Sequence, residues 1–224
     1  MLQAGDWAFV LDNFDYLLTG AAVTVGLTLT SLLLGFLLGF PAGAVEVYGE
    51  GIAQRIVSVS GVVLRGTPIV VIMLVLFFVV SISKSAFVTA TVGLGLRSAA
   101  YQSQIFRGAL QSVDEGQMEA ARAVGMSRFE AIRHVVVPQA LRRSMPGFQN
   151  EFTIVLKDTS IAFAIGLAEL LTRGYDLFTQ SGRSTAVLEV FVAISAVYFV
   201  LTFGTNRALD RLSEYYAIPS GESS

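Results

Sequence analysis

The chain has no cysteine and a single histidine, and only 14% of its 224 residues are charged. Without cysteine there can be no disulfide, no thiolate metal site and no cysteine nucleophile. His134 stands alone in a polar stretch, and a zinc site needs further ligands beside it, so a solvated surface residue is expected. No GxxxxGK[ST] phosphate loop occurs, and the two lysines, Lys84 and Lys157, do not follow glycine. ATP hydrolysis by the Walker mechanism is therefore not expected of this chain. The formal charge of -2 and the lack of any Lys/Arg run give nucleic acid no footing.

Apolar residues are abundant instead. They make up 54% of the chain, and the mean hydropathy of +0.66 is that of a membrane protein. No charge occurs between Asp15 and Glu46, between Arg65 and Lys84, or between Glu189 and Arg207. About 20 apolar residues cross roughly 30 Å of hydrocarbon, so three spans are expected there. Two more are interrupted by polar groups: about Ala86 to Ala109, with Arg97 near its middle, and about Pro146 to Leu171, with Glu151, Lys157 and Asp158 inside. At 1.5 Å per residue Arg97 lies roughly 16 Å into its segment, too deep to snorkel easily.

The expected fold is thus all-α, with about five transmembrane helices. Segment 1–16 lacks the basic region of a cleaved signal peptide and carries Asp6, Asp12 and Asp15 among Trp7, Phe9, Phe14 and Tyr16. It is expected to lie at the extracytoplasmic interface, where aromatic rings are favoured. Met1 to Ser224 is taken as the mature chain. Five spans put the termini on opposite sides. Ten arginines (55, 65, 107, 122, 128, 133, 142, 143, 207 and 211) then fall on one side, against Lys84, Arg173 and Arg183 on the other. By the positive-inside rule the first side is cytoplasmic, with the N-terminus outside and the tail 211–224 inside.

The polar insert at about 115–138 falls on the cytoplasmic side. Gln117 to Val124 is made of strong helix formers, and Gly125 is placed to stop that helix in a left-handed cap. Ser127 followed by Glu130 matches a capping box. The second helix carries Phe129, Ile132 and Val136 on one face, and Pro138 is expected to disturb its continuation. A helix-turn-helix loop results. By physics alone it is either a docking element or an ordinary loop that covers the ends of the spans.

The residue pattern decides between them. Glu119, Ala120 and Ala121, three residues, Gly125, nine residues, then Val135, Val137 and Pro138 resembles the EAA loop of the integral membrane subunits of ABC importers, with valines where that pattern favours isoleucine and leucine. RGTP at 65–68, AAY at 99–101, IFRGAL at 105–110, PQALRR at 138–143, NEF at 150–152 and KDTS at 157–160 are similar to the polar amino acid permeases. The resemblance covers most of 17–210 and implies a type I ABC importer permease fold. It implies three kinds of partner: an ABC ATPase dimer that receives the loop and binds ATP and Mg, a second permease subunit, identical or paralogous, and an extracytoplasmic amino-acid-binding protein. This chain itself would hold no cofactor, and membrane lipid would surround it. Glu119, Ala120, Ala121, Gly125, Phe129 and Pro138 are then the residues expected to couple to the ATPase.

Ionisable residues at mid-membrane are costly and tend to mark pathways. Arg97, Glu151, Asp158 and, within KDTS, Ser160 are the expected lining of the solute path. Glu151 and Asp158 are two helical turns apart and share a face if their segment stays helical. With Arg97 they offer both signs of charge to a zwitterion. The alternative is that they merely neutralise one another between helices. Gln104 stands where glutamate is common in such permeases, which makes a strongly cationic solute less attractive. Gly35, Gly39 and Gly43 form a small-xxx-small ridge expected to pack against another helix. A secondary transporter or channel would also place charges at this depth, but has no need of an EAA-type loop. A non-transporting scaffold leaves the buried charges unexplained.

Overall fold

The computed structural model describes residues 4–182 and 184–216, all of whose regular elements are helical. Arg183 and the end of the expected tail, 217–224, lie outside the described residues. The helices are α1 (Ala4–Asp12), α2 (Phe14–Tyr48), α3 (Gly51–Gly66), α4 (Ile69–Leu74), α5 (Ala86–Gln111), α6 (Glu115–Ala123), α7 (Arg128–Ala131), α8 (Val137–Asp158), α9 (Leu170–Gln180) and α10 (Val187–Tyr216). A π-helical turn, Val75–Val80, extends α4, a second, Ile132–Val136, joins α7 to α8, and a 3-10 stretch, Thr159–Ile165, follows α8.

By length and apolarity α2 and α10 can each cross a membrane, and α3 with α4 qualifies only as a bent pair. The second expected span is accordingly not one straight helix. Ile69–Val80 holds 12 residues, on the order of 18 Å at α-helical rise and too short to cross alone. It meets α3 at a bend of 104°. Thr67 and Pro68 cause the break: proline has no amide to donate and forces the residue before it out of the helical region, and Thr67 sits at ψ 129°. Arg65 lies at this bend and is half-buried there.

α5 and α8 are long enough to cross but carry polar faces, which they turn toward each other. α8 begins earlier than the expected Pro146, and its span closes at Ile165, where Gly166 takes a left-handed φ of 75°. Pro138 does not end the helix that carries Phe129. It falls within the first turn of α8, where a missing amide costs least, and the π turn before it absorbs the change of register.

The glycine ridge of α2 packs on α5. A β-carbon at Gly35 would come 2.5 Å from Gln102 Nε2, one at Gly39 2.7 Å from the Ala99 carbonyl, and one at Gly43 2.7 Å from the Ser103 carbonyl. At Gly39 and Gly43 the opposing atoms are backbone, which cannot move aside. Gly26 is outside this seam; its nearest neighbour would be Phe87 Cζ at 4.0 Å. A second core binds the bend to the rest: Leu27, Ile69, Met73, Leu94, Ala162 and Ile165 are buried together. α1 and the start of α2 pack on other helices: Val10 is buried, Phe9, Phe14 and Tyr16 pack on a core of Leu170, Val190 and Ile194, and Asp6 accepts from Thr185 at 3.2 Å.

Gly39→Val should destabilise the protein by about 1–3 kcal/mol through overpacking, whereas Gly26→Val should be close to neutral. Thermal unfolding of the two variants in detergent checks this, and equal losses would refute a rigid seam.

Candidate functional site

Two helix breaks meet. The RGTP bend between α3 and α4 faces the 3-10 stretch that follows α8, and between them lies an open cavity of about 740 Å³. Arg65, Thr67, Arg97 and Ser160 supply its polar lining, and Ile69, Phe163 and Leu171 are among its apolar walls. Irregular backbone at membrane depth is tolerated where it lines a cavity of this kind.

The expected residues divide into two groups. Arg97 forms an ion pair with Asp158, both side chains being about one-fifth exposed, and its guanidinium lies over the Tyr101 ring at 5.0 Å. Glu151 is on the same helix as Asp158, as a continuous α8 requires, but it does not line the cavity. It is buried and accepts from Ser98 Oγ at 2.7 Å; Gln102 Nε2 in turn donates to Ser98 Oγ at 3.0 Å and to the Leu32 carbonyl at 3.2 Å. This second network pins α5 between α2 and α8. Lys157 is exposed and makes no ion pair among the described residues. Gln104 donates to Glu46 at 2.7 Å near the far end of α5, away from the cavity.

Arg65 lines the pocket but was not among the residues expected there. Its Nη1 donates to the Ala100 carbonyl at 2.7 Å. The signal was available in Gly66-Thr67-Pro68: a proline at the edge of an apolar run marks a break, and a break brings the residues beside it together. Glu169 was also missed. It is fully buried, caps α9 through the Leu171 and Thr172 amides at 2.8 Å each, and accepts from Tyr198 at 3.1 Å, so it ties α9 to α10.

The polar insert is a small self-contained fold at the other end of α8. Asp114 caps α6 by accepting from the Gly116 amide at 2.7 Å. Gly125 ends the helix at φ 91°, with its own amide on the Arg122 carbonyl and the Met126 amide on that of Ala121. The capping box forms as read: the Glu130 amide donates to Ser127 Oγ at 3.3 Å and the Ser127 amide to Glu130 Oε2 at 2.8 Å. Ala121 and Ala131 are buried, while Glu119, Ala120, Gly125, Pro138 and His134 are exposed. Val124 and Phe129 are 76% and 69% exposed, which leaves two large apolar side chains projecting from the loop.

Comparison with known proteins agrees with this architecture. Residues 16–214 match the family described as the binding-protein-dependent transport system inner membrane component. The glutamine transport system permease protein GlnP of Escherichia coli K12 is 34% identical over 212 residues, covering 92% of this chain and 95% of that protein. The L-cystine transport system permease protein TcyL of Bacillus subtilis is 35% identical over 211 residues, covering 90% and 87%. A crystal structure of an amino acid ABC transporter with histidines superimposes with a TM-score of 0.85 at 28% identity, over 96% of this chain and all of that one. The fold is that of the type I ABC importer permeases. The chain belongs to the binding-protein-dependent transport system inner membrane component family, and its motifs place it with the permeases of polar amino acid ABC importers.

The hydrogen bonds from the Ser127 side chain and backbone hold the Glu130 carboxyl below its usual value of 4.5, and His134 adds to this. A lowered folded-state pKa gives stability that is present above 4.5 and is lost as pH falls through the lower folded value. Exchange protection of the Ser127 amide should therefore survive acidification to pH 4.5 and fail only below it. In Glu130→Gln, which keeps an acceptor but cannot titrate, that dependence should vanish. Loss of protection above 4.5 would contradict the box.

Proposed function

We propose that this chain is the permease subunit of an ATP-driven importer that moves a polar amino acid across a prokaryotic cytoplasmic membrane. The observation that carries this is the course of α8. It runs unbroken from the exposed loop to Asp158, the partner of Arg97 at the cavity wall, and so joins a docking element to a solute-sized space. The glutamine and L-cystine transport named for the relatives supports an amino acid as the solute.

The loop faces the cytoplasm in this proposal, with the N-terminus outside and the C-terminus inside. The arginine bias, ten on one side against Lys84, Arg173 and Arg183 on the other, supports that orientation. An ABC ATPase dimer holds ATP and Mg and receives Val124 and Phe129, with Glu119, Ala120, Ala121, Gly125 and Pro138 forming the rest of the contact element. A second permease subunit, identical or paralogous, completes the path, and an extracytoplasmic binding protein delivers the solute. Arg97 and Ser160 touch the solute; Asp158 holds Arg97, and Glu151 holds α5 in place. ATP-driven approach of paired loops moves α8 as a lever and changes the cavity wall.

Gly125→Val should assemble but uncouple, because a β-branched residue at φ 91° carries strain of about 1–3 kcal/mol and loses the turn that sets the two loop helices. ATPase activity should persist in reconstituted vesicles while solute uptake is lost. Normal coupled uptake by the variant would overturn the loop's role, and uptake by the lone chain without an ATPase would point to a secondary transporter.

A further inference from the structure

The longest helix brings its second acidic residue to the level of the lipid headgroups. α2 has 35 residues, on the order of 50 Å at helical rise, and even a tilt of roughly 40° leaves it covering about 40 Å, more than the roughly 30 Å of hydrocarbon. Asp15 and Glu46 bound its uncharged stretch. Glu46 stands at the end nearest the polar loop, where the adjoining Val47 and Tyr48 pack with Val113 and Val136.

An open pocket of about 780 Å³ lies there, between the end of α2, the start of α3 and α5. Glu46, Gln54, Arg55, Ser58 and Arg107 give it polar walls, and Ile52 and Val59 an apolar side. Glu46 is only 7% exposed. Its Oε2 accepts from Gln104 at 2.7 Å and from Arg107 at 3.4 Å, but its Oε1 has no hydrogen-bond partner. A buried carboxylate oxygen left bare is costly, and the terminal torsion of a glutamate is soft enough to turn it toward the pocket. It suits an N–H donor, best a charged one.

Other parts of the lining suit an anion. Arg55 is exposed and forms no ion pair among the described residues. Glu50, at the N-cap of α3, makes no side-chain cap, so the positive end of that helix is open to a phosphate beside the Ser58 hydroxyl. Ile52, Ile56, Val59 and Val63 follow at helical spacing, each more than half exposed, and form an apolar stripe that leaves the pocket along α3. A free zwitterion has no use for such a stripe. A lipid has.

We propose that this pocket binds the headgroup of a phospholipid that carries a primary amine, as phosphatidylethanolamine does. The ammonium meets Glu46, the phosphate meets Arg55 and the start of α3, and an acyl chain follows the stripe. Phosphatidylcholine has no N–H to donate, and phosphatidylglycerol has no positive charge. Glu46 and Arg55 lie outside every motif by which this chain resembles other permeases. The site is separate from the solute path, yet α3 ends at the RGTP bend, so the headgroup braces the far end of a helix that reaches the cavity.

The assembled complex is placed in nanodiscs of equal parts phosphatidylethanolamine, its N-methyl and N,N-dimethyl forms, phosphatidylcholine and phosphatidylglycerol, all with the same chains. It is then moved into detergent, and the lipid it retains is identified by mass spectrometry. Phosphatidylethanolamine should be retained about tenfold over phosphatidylcholine, with the methylated forms between them in order of N–H count. Arg55→Gln, at an exposed position, should cut retention of phosphatidylethanolamine several-fold, and Glu46→Gln should bring it down to the level of phosphatidylcholine. Equal retention of the amine and choline lipids, a preference for phosphatidylglycerol, or an amine preference that survives Arg55→Gln would each overturn the proposal. Displacement of the retained lipid by free glutamine would overturn it too, by making the pocket a solute site.

Discussion

The seam between α2 and α5 is the contact on which the rest of this structure depends. In a membrane, helices gain little from hiding apolar surface from lipid, so close backbone approach and shared hydrogen bonds have to hold them together. Gly35, Gly39 and Gly43 provide the approach, and the Gln102 contact with the Leu32 carbonyl adds a bond across it. Once α5 is fixed in this way, Ser98, which stands in the seam beside Gly35, reaches Glu151 of α8, and its neighbour Arg97 meets Asp158. The ion pair at the cavity wall is thus set by the seam beside it.

Buried charge in this fold is handled in two different ways. Glu151 is enclosed and given a hydroxyl partner, which makes it part of the scaffold. Arg97 and Asp158 are left partly open and are paired with each other. Removing one member of such a pair leaves the other uncompensated in a poor solvent for charge, which is more damaging than losing the pair as a whole. Residues close in sequence and alike in chemistry, as Glu151 and Asp158 are, can therefore serve scaffold and site separately.

The sequence was most legible where the chemistry is local. The turn at Gly125, the box of Ser127 and Glu130, and the α2 glycine ridge each follow from residues within a few positions of one another, and each is found in the structure. Helix existence was equally plain from hydropathy. What could not be read was the geometry made by interruptions. Pro138 and Pro68 look alike as helix breakers, yet one is absorbed at the start of a helix after a π turn and the other bends the chain by 104°. The difference lies in which tertiary neighbours receive the freed backbone groups. Arg65 was not read as a pocket residue for the same reason, and Glu169 was missed because a glutamate is an uncommon cap whose burial depends on Tyr198, far along the chain.

The caps of the loop bear on how a partner would grip it. Every turn between Asp114 and Glu130 is closed by hydrogen bonds from within the segment itself. The entropy of ordering the loop is therefore lost when this chain folds, and none of it is left to be lost on association. A preorganised element of this sort needs only a small contact area to bind well, and two apolar side chains on a stiff frame suffice as anchors where a flexible loop would need many more. It can also release as readily as it docks, since nothing has to unfold for it to leave.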